Sequence, residues 1–146
     1  MKIYLAADHG GYELKNSIAQ HLQAKGIEVQ DFGPHQLVPD DDYPDYVIPA
    51  MEQVQQAKTA AIITCRNGVG VSVLANKFKD IRCALCYMPE QAKTSREDDN
   101  SNVLALPADF ITNETALKTV DAWLETPFSN EERHIRRLKK ISQVEK

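Results

Sequence analysis

Five short apolar runs alternate along this chain with longer segments of helical spacing, and that alternation constrains its fold more than any other feature. The runs are KIYLAA (2–7), IEVQDFG (27–33), AAIIT (60–64), IRCALCY (81–87) and NVLALPA (102–108). The fourth is apolar at most positions, as suits a strand covered on both faces. The first intervening segment, DHGGYELKNSIAQHLQAKG (8–26), carries Leu14, Ile18, His21 and Leu22 at helical spacing and closes at Gly26. VIPAMEQVQQAKT (47–59) reads as a helix interrupted early by Pro49, after a loop, PHQLVPDDDYPDY (34–46), thick with Pro and Asp. GVSVLANKF (70–78) reads as a helix and PEQAKTSREDDN (89–100) as a short helix or loop. NETALKTVDAWLET (113–126) is a helix capped by Thr112 or Asn113.

Strand and helix in turn predict an α/β fold. Its sheet should be mainly parallel and five-stranded, with helices on both faces and ligands at the carboxyl ends of the strands. An extended C-terminal helix is expected from SNEERHIRRLKKISQVEK (129–146), whose thin apolar stripe is Ile135, Leu138 and Ile141. A terminal helix this polar suits packing on a partner subunit. With 146 residues, 42% of them hydrophobic, the chain reads as one domain, 1–146.

The bulk numbers also exclude classes of function. Lys and Arg total 17 against 21 Asp and Glu, a net charge of -4, so no general basic field attracts nucleic acid or an anionic membrane. No apolar stretch reaches the length of a membrane span, and the run after Met1 is too short for a signal-peptide core, so a cytoplasmic protein is expected. Cys65, Cys83 and Cys86 are odd in number. A disulfide framework is therefore not expected.

The richest stretch is AAIITCRNGVGVSVLANK (60–77). Cys65 falls where the strand ends, and CRNGVG supplies backbone N–H groups before a helix N-terminus, a turn that binds anions and favours a thiolate. The plainer reading is a buried cysteine at a tight turn. It is not a Walker loop, because no Gly-Lys-Ser/Thr follows. DHGG ends the first strand in the same way, which puts Asp8 and His9 on the same rim as Cys65 and makes an acid–base site plausible. Alone, Asp8 could be a helix cap and His9 a solvated side chain. CALC (83–86) has redox spacing but lies within a strand pattern, so buried apolar thiols are expected. Asp40, Asp41 and Asp42 read as a solvated loop. No His/Cys cluster has metal spacing, so neither metal nor cofactor is expected. Arg133 and Arg137 lie one turn apart beside His134 and could grip a phosphate, or could simply complement the helix dipole.

Taken in order, AADHGGYELK, DDYPDY, CRNGVGVSVLANK, NVLAL and RHIRR resemble the type B ribose-5-phosphate isomerases, in the superfamily that includes galactose-6-phosphate isomerase subunits. The resemblance covers essentially the whole chain. It implies a Rossmann-like three-layer α/β/α sandwich, and a homodimer or dimer of dimers that shares active sites between subunits. It also implies metal-free aldose–ketose isomerisation of a sugar phosphate through an enediolate. By position, Cys65 matches the base that moves a proton between C2 and C1. Backbone N–H groups of Gly68, Val69, Gly70, Val71 and Ser72, with Asn67 in the same loop, match the oxyanion donors. Asp8, His9 and Tyr43 match substrate-binding positions, and Arg133, His134 and Arg137 match the phosphate grip.

Two stretches depart from the family pattern. Where Cys-Gly-Thr-Gly is usual this chain has Cys65-Arg66-Asn67-Gly68, and where Arg-Glu-His-Asn is usual it has Arg96-Glu97-Asp98-Asp99. The resemblance thus places Asp98 at the ring-opening position and Asp99 at a substrate-binding one. An aspartate ordinarily titrates near about 4 and has no proton to give at neutral pH unless buried. The change leaves open another sugar phosphate of galactose-6-phosphate or tetrose-phosphate type, a partner that supplies the histidine, or a non-catalytic sugar-phosphate-binding protein.

Overall fold

In the computed structural model, which describes residues 1–145, the apolar runs become β1 (Lys2–Ala7), β2 (Glu28–Asp31), β3 (Ala60–Cys65), β4 (Cys83–Leu85) and β5 (Val103–Pro107). They form one parallel sheet in the order β2-β1-β3-β5-β4. The helices are α1 (Tyr12–Ala24), α2 (Pro44–Ala57), α3 (Val69–Ala75), α4 (Pro89–Asp99), α5 (Asn113–Glu125) and α6 (Glu132–Ser142).

Strand alternation sorts the core into two layers. Tyr4, Ala6, Ala61, Ile63, Cys65, Val103 and Ala105 point to one face, where Val47, Met51 and Val54 of α2 and Val71 and Ala75 of α3 cover them. Ile3, Leu5, Ile62, Leu104 and Leu106 point to the other, under Leu14, Ile18 and Leu22 of α1, Ala92 of α4 and Ala116, Val120 and Trp123 of α5. Trp123 is 2% exposed, and its indole N–H donates to Ser101 Oγ at 2.8 Å.

Helix ends follow local chemistry. Gly26, at φ +76°, closes α1 as its N–H donates to Gln23 O and that of Ile27 to Leu22 O. Thr112 caps α5 by accepting from the Thr115 N–H at 3.1 Å.

Three sequence expectations change, and the open choice between helix and loop at 89–100 is decided. Helix α2 begins at Pro44 rather than Val47, since a proline fits a first turn whose N–H needs no partner, and it runs through Pro49 without ending. Segment 89–100 forms a helix of 11 residues. Strand β4 shrinks to three residues, half-buried rather than covered on both faces, because β5 inserts between β3 and β4 and leaves β4 at the sheet edge. In α6 only His134 is buried, while Ile141 of the expected stripe is 47% exposed.

The topology sets where a site can form. From β1 the chain leaves toward β2, and from β3 it leaves toward the opposite side of the sheet, so the loops after β1 and β3 part at a switch point. Each connecting helix between parallel strands returns the chain to the amino edge of the sheet. Among the described residues, no helix is long and apolar enough to cross a membrane.

Candidate active site

At the switch point the register pairs Ala7 with Thr64, so Asp8, the residue after β1, comes beside Cys65, the last residue of β3, with backbones about 5 Å apart. Asp8 is 7% exposed, and its Oδ1 accepts the Gly11 N–H at 3.0 Å. Cys65 is 4% exposed, with Sγ 3.9 Å from Asn67 Oδ1. Burial pushes the other two thiols up, Cys83 to about 12 and Cys86 to about 11, which leaves both protonated at neutral pH.

The loop after Cys65 is shaped by two glycines. Gly68 sits at φ +72°, and a Cβ there would collide with the Leu85 side chain and lie 3.2 Å from the Leu106 and Pro107 backbone. At Gly70 a Cβ would come within 2.7 Å of the Tyr43 ring and hydroxyl, so the missing side chain lets Tyr43 lie directly on the loop. The structure narrows the expected set of donors. Asn67 Oδ1 accepts the Val69 N–H at 3.0 Å and Gly68 O accepts that of Ser72 at 3.2 Å, whereas the N–H groups of Gly68, Gly70 and Val71 find no acceptor among the described residues.

His9 is held by a residue that reads in sequence as part of a solvated loop. Asp41 Oδ1 accepts both the His9 backbone N–H and its Nδ1–H, each at 2.8 Å. The Asp41 side chain is 5% exposed and its Oδ2 is buried without a partner. The hydrogen bond to Asp41 raises the His9 pKa, aided by the charge of Asp8 and opposed by desolvation and by Arg66. His9, Arg66, Asp109 and Asn113 line a cleft of about 710 Å³ at this edge. The stem of Arg66 lies across Gly10, its backbone carbonyl accepts the Asp109 N–H at 2.8 Å, and its guanidinium pairs with Asp109 at 3.6 Å. Asp41 carried no sequence signal as a site residue. The signal for Arg66 was only its departure from the family pattern.

The remaining expected site residues gather elsewhere. Helix α4 begins after β4 and ends before β5, so Asp98 and Asp99 at its C-terminal end lie at the amino edge of the sheet, about 16 Å of helix from its start. Asp99 shares a cleft with Lys77, Phe78, Arg82 and Leu138, and Asp98 Oδ1 is 3.4 Å from His134 Nε2, which is otherwise buried and unpartnered. Arg133 and Arg137 project into solvent from the same helix as His134. One chain therefore holds two separate clusters: Asp8, His9, Tyr43, Cys65 and the 67–72 loop at the carboxyl edge, and Asp98, Asp99, Arg133, His134 and Arg137 around α6. Among the described residues, no group of three His, Cys, Asp or Glu side chains could hold a metal ion.

The carboxyl-edge arrangement has the parts for proton transfer next to a carbonyl: a thiol, unpaired N–H donors for an oxyanion, a carboxylate and an imidazole. Residues 3–141 match the model of the family described as Ribose/Galactose Isomerase. The probable ribose-5-phosphate isomerase B of Mycoplasma genitalium is 39% identical over 146 residues, covering 99% of this chain and 95% of that protein. The ribose-5-phosphate isomerase B of Mycobacterium tuberculosis is 37% identical over 147 residues, covering 100% and 91%. Among solved structures, the Clostridium thermocellum ribose-5-phosphate isomerase B superposes with a TM-score of 0.94 at 40% identity, covering 99% of this chain and 97% of that one. The Mycoplasma genitalium enzyme with bound ribulose-5-phosphate gives 0.93 at 38% identity, covering 97% and 94%. Whole-length sequence likeness and fold coincide: the chain belongs to the ribose/galactose isomerase family of enzymes.

Proposed function

We propose that this protein interconverts ribose 5-phosphate and ribulose 5-phosphate, as a single isomerase domain, with Cys65 as the base. The observation that carries this is the pairing of Cys65 at the end of β3 with the unpaired N–H groups of Gly68, Gly70 and Val71. The thiolate takes the proton from C2 of the open-chain aldose, and the electron pair moves onto the carbonyl oxygen at C1. The resulting enediolate is held by the backbone donors, of which each typically supplies about 3–4 kcal/mol. Transfer of the 2-hydroxyl proton to the C1 oxygen, and return of the base's proton to C1, give the ketose. The relative with bound ribulose-5-phosphate supports this substrate pair.

A homodimer brings the two clusters together, the α6 side of one copy covering the carboxyl edge of the other. Val69 and Val73, one turn apart on α3, and Tyr87 and Met88 after β4 are 41–55% exposed and offer it apolar surface. Arg133 and Arg137 of the second copy then grip the substrate phosphate. A second reading, isomerisation of another sugar phosphate, is favoured by one observation: Asp98 and Asp99 put two carboxylates where the family has a histidine and an asparagine.

Turnover assays across phosphorylated aldoses, with the unphosphorylated sugars beside them, test the proposal. Ribose 5-phosphate should be converted and ribose hardly at all. Arg137→Ala should weaken affinity for the phosphorylated sugar by about 10- to 100-fold, the worth of a charge-assisted hydrogen bond, and leave weak ribose binding nearly unchanged. Equal losses for both ligands would make Arg137 structural, and no conversion of any sugar phosphate would refute the isomerase reading.

A further inference from the structure

We propose that His9 is the acid that opens the sugar ring in this protein, and that Asp41 is the residue that positions it. The inference rests on the isomerase reading above. An aldopentose 5-phosphate is mostly a closed furanose, and enolisation needs the open aldehyde. Opening requires a proton delivered to the ring oxygen and another removed from the anomeric hydroxyl. The position where the family pattern has a histidine for this task is Asp98, an aspartate that can reach Cys65 only from a second copy.

His9 has the required placement in the same chain as the base. It directly follows Asp8, which leaves β1 beside Cys65, and it opens onto the cleft shared with Arg66 and Asn113. Asp41 fixes the ring through two donors on one carboxylate oxygen. A carboxylate only accepts, so Nδ1 must carry a proton and Nε2 is the nitrogen left for the substrate. The charged groups that face the imidazole are Asp8 on its own loop, Asp41 before α2 and Arg66 after β3, with Glu13 and Asp109 lining the same cleft. Their balance favours the imidazolium, with the Asp41 hydrogen bond the largest cause.

The step balances as follows. The Nε2 proton of the imidazolium moves to the ring oxygen O4 as the C1–O4 bond breaks and its electron pair goes to O4. The proton of the anomeric hydroxyl passes to the Asp8 carboxylate, leaving an aldehyde at C1 and a free hydroxyl at C4. Solvent then returns one proton to His9 and removes one from Asp8.

Ribulose 5-phosphate separates ring opening from enolisation, because the oxygen that would close its furanose carries the phosphate. Its C1 hydrogen exchanges with solvent deuterium through the enediolate with no ring to open. In D2O, His9→Asn is expected to lose at least about tenfold more in net conversion of ribose 5-phosphate than in C1 exchange of ribulose 5-phosphate, the low end of what a positioned acid contributes. Asp41→Asn keeps the shape of the loop but removes the charge. It should move the alkaline fall of ribose 5-phosphate turnover to lower pH, since a less basic His9 loses its proton sooner, and leave the pH profile of C1 exchange in place. Equal losses in both reactions for His9→Asn, or an unmoved alkaline limb in Asp41→Asn, would overturn the assignment. A selective loss of ring-substrate turnover in Asp98→Asn but not in His9→Asn would give the role to Asp98. A wild-type protein that exchanges nothing would refute the isomerase reading itself, and this assignment with it.

Discussion

Cys65→Ala is expected to lower isomerisation by about a thousandfold while ligand affinity stays within about tenfold, the pattern of a residue that acts mainly in the transition state. The cysteine is buried at the end of β3, and its replacement removes one sulfur without disturbing the strand pairing of Ile63 or Thr64. Turnover and ligand titration on the same preparation check both halves. Cys83 and Cys86 cannot substitute for it, because burial holds both thiols protonated. Persistent turnover would move the base elsewhere, first to Asp8, its neighbour across the β1–β3 register.

Gly68→Ala should damage both the fold and the chemistry. The new methyl must adopt a left-handed conformation, which costs about 1–2 kcal/mol, and must displace Leu85 or the β5 backbone, an overpacking that typically costs about 1–3 kcal/mol more. Denaturant midpoints should fall accordingly. The shift of the loop also moves the Gly68, Gly70 and Val71 donors away from the enediolate oxygen, so kcat should fall by about 100-fold or more. A stable variant with unchanged kcat would mean that these N–H groups do not hold the oxyanion.

The parallel sheet and its two helical layers were legible because each apolar run was short and each intervening segment had a helical period. Strand order was not. Nothing in IRCALCY or NVLALPA says that β5 enters between β3 and β4, and only that insertion makes β4 an edge strand of three residues. Pro44 shows a similar limit, since a proline among aspartates reads as a turn and yet also suits the first position of a helix.

At the carboxyl edge, the grouping of Asp8, His9 and Cys65 was legible because strand ends in a parallel sheet share a rim. Asp41 could not. Its neighbours Asp40 and Asp42 are exposed, and only folding of the loop against β1 buries this one carboxylate beside His9. The distance between Cys65 and Asp98 was implicit in the helix direction, since α4 carries the chain back to the amino edge. Motif matching treats the two residues as one site, and the sharing of sites between subunits that the resemblance implies is what lets a single chain keep them apart.

That separation supplies the most direct test of the central claim, an isomerase whose sites are each built from two copies of this chain. Cys65→Ala should be mixed with the double variant Arg133→Ala/Arg137→Ala, each inactive or weak alone below saturating substrate, under conditions that exchange subunits. In a mixed dimer one site carries every lesion and the other carries none. Random pairing should then restore about a quarter of wild-type activity, because about half of the dimers are mixed and each holds one intact site. Recovery near that level is the predicted result; a mixture no more active than the average of its components would contradict shared sites and place the phosphate grip within a single chain.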